Sequence, residues 1–149
     1  MEIYDIDSAG APQLGNISTR GFVDTGENVM IGGVIVGGSD YPGSLDTVVR
    51  ALGPSLTAAG ISDPLADPML ELHDADGNVI AANDDWKEGD PDELTALGLA
   101  PSDDHESAIV MSLPAGQFTA IASGKSSGSG VALIEIYNVD TATIPGAAN

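Results

Sequence analysis

Apolar and polar residues alternate in short runs along most of the chain, and nearly every run stops at a Gly, Pro, Asn or Asp. A period of two bounded by turn residues is the pattern of half-buried strands. It predicts strands near Glu2–Asp7, Ile17–Val23, Val29–Val36, Thr47–Leu52, Met69–Asp74, Val79–Asn83, Ser107–Leu113, Gln117–Ser123 and Val131–Val139. Asp76-Gly77 reads as a hairpin, because the chain must fold back through positive φ there, and Leu113-Pro114-Ala115-Gly116 reads as a second turn. Gly32-Gly33 inside Val29–Val36 points to a bulge or a close backbone approach. Two short helical turns interrupt the strands. Asp90–Gly98 has an Asp to cap it, Pro in the first position, acids in the first turn and a closing Gly, and Pro54–Ala59 followed by Gly60 is a weaker version. The expected fold is all-β: a two-layer antiparallel β-sandwich, jelly-roll-like, with one or two short helical inserts. Leu70, Leu72, Ile109, Met111, Leu113, Phe118, Ala120, Ile134 and Ile136 are its expected core residues. Ser123–Gly130 reads as a flexible loop tip and residues 141–149 as a tail.

One strand occurs twice. Glu2-Ile3-Tyr4-Asp5-Ile6-Asp7 returns as Glu135-Ile136-Tyr137-Asn138-Val139-Asp140, with four of six positions identical and the others conservative. Nothing else of that length repeats, so residues 1–149 read as a single domain with residues 1–7 as an exchanged or linking strand. Units cut so that one strand sits at both ends can be joined in tandem or head to tail between chains. On this reading Ile3 and Ile6, or Ile136 and Val139, enter a core, and Tyr4 or Tyr137 anchors a sheet edge.

Composition narrows the partners. A chain of 149 residues can bury about two thirds of its unfolded surface without a staple, and it has no Cys, which excludes disulfides, zinc–thiolate sites and thiol nucleophiles. A net charge of −19 argues against nucleic acid and anionic membranes, both of which call for Lys and Arg. No run reaches the ~20 apolar residues of a membrane helix. Met1 leads into an acidic strand rather than a basic and then apolar leader, so the reading allows a cytosolic protein or an excised, mature form.

The acids are concentrated. Residues 63–106 hold 14 of the 23 acids and one base, Lys87. The clusters are Asp74, Asp76 and Asn78; Asn83, Asp84 and Asp85; and Asp103, Asp104 and Glu106. Calcium takes six to eight oxygen ligands from such loops, and crowded carboxylates destabilise a fold until something neutralises them. These nine residues are the candidate metal ligands, with Ca²⁺ as the expected ion; the competing reading is solvated turns, which Asp and Asn favour for local hydrogen-bonding reasons. The pattern is not an EF-hand, since Gly77 falls in the wrong place and no Glu closes the loop.

Asp67-Pro68, Leu70-Glu71-Leu72, Asp74–Asn78, Ile80, Asn83-Asp84-Asp85, Glu106-Ser107, Leu113–Gly116, Thr119 and Ser123-Gly124 together resemble the bacterial pre-peptidase C-terminal (PPC) domains over about residues 67–139. Phe118 stands where those domains usually carry Tyr, and Trp86 with the Lys87–Pro101 insert lengthens one loop. Asn16–Gly21 and Arg50–Leu56 are similar to repeats in secreted bacterial proteins. The resemblance implies export, to the extracellular space or the cell surface, a jelly-roll-like sandwich and a capacity for calcium. It does not imply catalysis.

No catalytic set emerges from the residues. His105 lies beside Asp103, Asp104, Glu106 and Ser107, but sequence neighbours rarely converge as a triad. His73 reads as an outward-facing strand residue. Gly124-Lys125-Ser126 lacks the first Gly and the helix of a phosphate loop, and acid pairs without aromatic platforms are a poor glycosidase. Arg20 and Arg50 are expected in core-edge ion pairs or on backbone carbonyls, and Asn16-Ile17-Ser18 matches the glycosylation pattern. The expected function is therefore a non-catalytic extracellular module that associates with itself or with adjacent repeats, its terminal strands completing a neighbour's sheet. The alternative is a monomeric PPC-like accessory or binding domain of a larger secreted protein.

Overall fold

The computed structural model describes residues 16–37 and 43–139. Its strands are β1 (Asn16–Val23), β2 (Met30–Val36), β3 (Ser44–Leu52), β4 (Pro68–His73), β5 (Val79–Asn83), β6 (Ser107–Pro114), β7 (Gly116–Gly124) and β8 (Gly130–Asn138). One short helix, α1 (Pro91–Ala96), and 3₁₀ turns at Pro54–Ala59, Trp86–Glu88 and Lys125–Ser127 complete the elements. The expected strand Glu2–Asp7 and the tail lie outside the described residues.

The strands form two four-stranded antiparallel sheets, ordered β1-β8-β3-β6 and β2-β7-β4-β5. The chain crosses between sheets at every step except the β4–β5 hairpin, which is the order of a jelly roll. Leu113–Gly116 is accordingly a corner between sheets rather than a hairpin. Pairing of β2 with β7 runs unbroken from Met30–Ala122 to Val36–Gly116, so Gly32-Gly33 makes no bulge. Gly32 does make a close approach: a Cβ there would lie 3.4 Å from Ile134 Cγ2.

Alternation places one side of each sheet inside. Leu70, Leu72, Ile109, Leu113, Phe118, Ala120, Ile134 and Ile136 are buried in the space between the sheets, with Met111 packed half-buried against them. A second cluster lies on the outer face of the β3–β6 half of its sheet. There Val48, Trp86, Leu94 and Ala108 are buried together, with Leu99, Val110, Tyr137 and Val139 against them. The insert after β5 is thus a cover, not a lengthened loop: Val48 points away from the main core yet is fully buried beneath it.

Arg50 joins that cover to the sheet. It stands opposite Glu135 on β8, donates Nε to the Glu135 carboxylate at 2.8 Å and a second N–H to the same oxygen. It also caps the Leu99 carbonyl at 2.8 Å and lies 5.2 Å from the centre of the Tyr137 ring. The expected core-edge ion pair therefore holds for Arg50. Arg20 differs: it is exposed on β1 opposite Leu133 and makes no ion pair among the described residues. Ser123–Gly130 also departs from a loose tip. Its turn is tightly packed, and a Cβ on Gly124 would fall 2.0 Å from the Gly128 carbonyl oxygen.

Where the chain leaves β3, Gly53 is held against Leu65 so closely that a Cβ would sit 2.0 Å from the Leu65 carbonyl oxygen. The side chain that fixes this turn is Glu106, which is completely buried. Its Oε1 accepts from Gly53 N (3.0 Å), Ser55 N (2.9 Å) and Ser55 Oγ (2.5 Å). Glu106→Ala strands two buried amides, and an unfolding titration should show a loss of about 3 kcal/mol. A loss under about 0.5 kcal/mol, the scale of an ordinary surface change, would refute the clamp.

Candidate functional site

The acidic candidates separate in space. Asp74, Asp76 and Asn78 form the tip of the β4–β5 hairpin, where Asp74 Oδ1 accepts from Asp76 N (3.0 Å) and Asn78 N (2.9 Å) and the carboxylate also takes the Asn78 amide. The Asn78 backbone N–H, then its side chain, hold the Asp74 carboxyl below the usual range. Gly77 supplies the positive φ of this turn. The tip is self-satisfied, and about 23 Å of strand separates it from Asp67.

At the other end of β4 three carboxylates meet. Asp67 precedes β4, and Asp84 and Asp85 follow β5; one carboxylate oxygen from each lies within 4.8 Å of the others. Asp84 and Asp85 were expected there; Asp67 was not among the candidate ligands. Asp67 Oδ1 and Asp84 Oδ1 are buried without a hydrogen-bond partner. Burial, and then the Asp84 charge, push the Asp67 carboxyl above its usual range. Among the described residues, the ammonium in contact with the cluster is Lys125, whose Nζ is 2.5 Å from Asp84 and 4.0 Å from Asp67. It is brought there by the turn after β7, where Lys125 N donates to the Asp67 carbonyl at 2.9 Å. Three carboxylates against one ammonium leave the group with surplus negative charge and two oxygens free to bind. A hard divalent cation fits that donor set.

The remaining candidates have other partners. Asn83 donates to the Asp85 carbonyl at 3.1 Å and accepts from Ala108 N at 2.9 Å, stitching β5 to β6. Asp103 Oδ1 accepts from His105 N (3.0 Å) and meets its Nδ1 at 3.1 Å, while its carbonyl accepts from Trp86 Nε1. Asp104 pairs with Lys87 at 2.6 Å on the surface, and Glu106 serves the Gly53 turn. His105 is exposed and turned to its own loop, whereas Ser107 Oγ is buried and donates to the Pro68 and Asp84 carbonyls, so the two do not converge. His73 is half-buried between Glu71 (2.9 Å) and the Gly77 carbonyl (3.1 Å).

The second feature is the strand that the chain repeats. Glu135, Ile136 and Tyr137 belong to β8, which pairs with β1 on one side and β3 on the other. Ile136 is buried in the main core. Tyr137, expected at an edge, stands in a central strand, and it shares with Val139 the outer face covered by the insert. Positions three apart fall on opposite faces of a strand, so Ile136 and Val139 cannot both enter one core. Ile3, Tyr4 and Ile6 lie outside the described residues.

No protein-family model matches this chain, and no curated protein does. Among solved structures it aligns with the pre-peptidase C-terminal domain of a collagenase from Bacillus anthracis, at 11% identity and a TM-score of 0.49, covering 81% of this chain and 88% of that one.

A carboxyl with a raised folded-state pKa stabilises the fold while protonated and loses that contribution as pH rises through its folded pKa. Wild type therefore carries the Asp67 penalty at neutral pH. In EDTA at pH 7, Asp67→Asn should raise Tm by roughly 2–4 °C. The gain should fade on acidification, as the wild-type carboxyl takes up its proton. A Tm difference independent of pH would assign the effect to packing instead.

Proposed function

We propose that the protein is a non-catalytic, extracellular β-sandwich module that assembles head to tail through a terminal strand, with calcium stabilising the unit. The observation that carries the reading is the second copy of β8. The described residues already make an eight-stranded roll in which Glu135–Asn138 fills a central position, so Glu2–Asp7 repeats a strand that the roll does not lack. Strand addition suits such a segment, because main-chain hydrogen bonds provide affinity and alternate side chains set register.

Calcium would be held by Asp67, Asp84 and Asp85, drawing on the two unpartnered oxygens. Bound there, it would neutralise the carboxylates and tie the start of β4 to the end of β5. Lys125 already meets the other oxygen of two of these carboxylates, Asp67 Oδ2 and Asp84 Oδ2.

Deleting Met1–Asp7 should abolish assembly seen by light scattering at micromolar concentration and leave a folded monomer. Assemblies of unchanged size after the deletion would overturn the proposal, and a monomeric wild type would favour a solitary accessory domain. Calcium should raise Tm relative to EDTA, as binding to the native state alone requires, and less so in Asp67→Asn. Identical melting curves with and without the ion would leave the three acids as a solvated cluster.

A further inference from the structure

The side of the sandwich bounded by β1 and β2 is unlike the opposite side. Between β5 and β6 the sheets are stitched by Asn83 to Ala108 and by Ser107 to Asp84. Between β1 and β2 they touch near the connecting turn, where a Cβ on Gly21 would meet Met30 Sδ at 3.2 Å. Beyond that contact a shallow apolar groove opens, lined among others by Ile17, Thr19, Ile31, Gly32, Ile134 and Ile136. Both strands are sheet edges, and Phe22, Ile31 and Ile35, exposed by 56%, 60% and 61%, all lie on them. An unpaired edge with exposed apolar side chains is a template for another strand.

Arg20 says which strand. The chain has two arginines. Arg50 is met by Glu135 directly opposite, with Tyr137 opposite Val48 and its ring beneath the guanidinium. The recognition element is thus Glu-x-Tyr on an adjacent antiparallel strand, and Glu2-Ile3-Tyr4 repeats it. Ser18 stands opposite Glu135 on β8, so Ser18 and Arg20 share the outer sheet face that carries Glu135. Arg20 is exposed there, on the strand whose far edge is unpaired among the described residues.

We propose that the free edge of β1 receives Glu2–Asp7 of a second copy of this chain, antiparallel, with Glu2 opposite Arg20 and Tyr4 opposite Ser18. Ile3 then falls on the inner face opposite Thr19 and covers the groove. This rests on the head-to-tail reading and supplies its acceptor. The stretch Ser8–Gly15 can extend roughly 27 Å.

Sedimentation of two variants and their mixture tests this. Arg20→Glu should raise the half-assembly concentration by roughly tenfold or more, as loss of a charge-assisted pair does, with Arg20→Lys intermediate. The Arg20→Glu chain retains a donor and the chain lacking residues 1–7 retains an acceptor. Mixed, they should form a one-to-one heterodimer that neither forms alone. If wild type assembles and Arg20→Glu assembles equally well, the acceptor lies elsewhere and the head-to-tail reading survives. If the mixture stays monomeric, the segment docks within its own chain and the inference fails. If wild type itself is monomeric, the assembly reading fails with it.

Discussion

The backbone of β8 is hydrogen-bonded along both edges, and that double pairing is what the rest of the fold depends on. It joins β1, near the start of the described chain, to β3 and through it to β6, so strands far apart in sequence share one sheet. Its inner residues Ala132, Ile134 and Ile136 enter the main core. Its outer residues Glu135 and Tyr137 hold Arg50, and Arg50 holds the Leu99 carbonyl of the cover. One strand therefore sets the sheet, the core and the seat of the insert together. The same residue pattern occurs a second time in the sequence, at Glu2–Asp7.

The two sides of the sandwich divide the work. The β5–β6 side is fastened by side chains that bond to backbone across the seam, and Glu106 anchors the neighbouring turn. These bonds across the seam make that side specific and closed. The β1–β2 side has small residues and exposed aliphatic ones in their place. The acidic cluster lies near the closed side, so any cation bound there would reinforce the part of the roll that is already stitched.

Much of this was legible along the chain. Val79–Asn83 and Pro54–Ala59 fall where the pattern put them, and the other described strands differ by a few terminal residues, because alternation and turn residues are local properties. Three features needed the tertiary structure for a shared reason. Gly32-Gly33 was ambiguous between a bulge and a close approach, and only the facing Ile134 decides it. The Lys87–Pro101 stretch reads as a loop until Val48 is seen beneath it. Asp67 escaped notice as a ligand because the partners that bring it into the cluster, Asp84 and Lys125, come from other strands.

The amino-acid sequence by itself determined the strands, their inner faces, the acidic character and the repetition of β8, since each depends on residue type and spacing within a few positions. The tertiary structure alone decided which acids meet, which arginine is paired and which strands stand at the sheet edges among the described residues. Those depend on the jelly-roll crossing, which sets Arg50 beside Glu135 and leaves Arg20, on a strand of similar pattern, facing solvent.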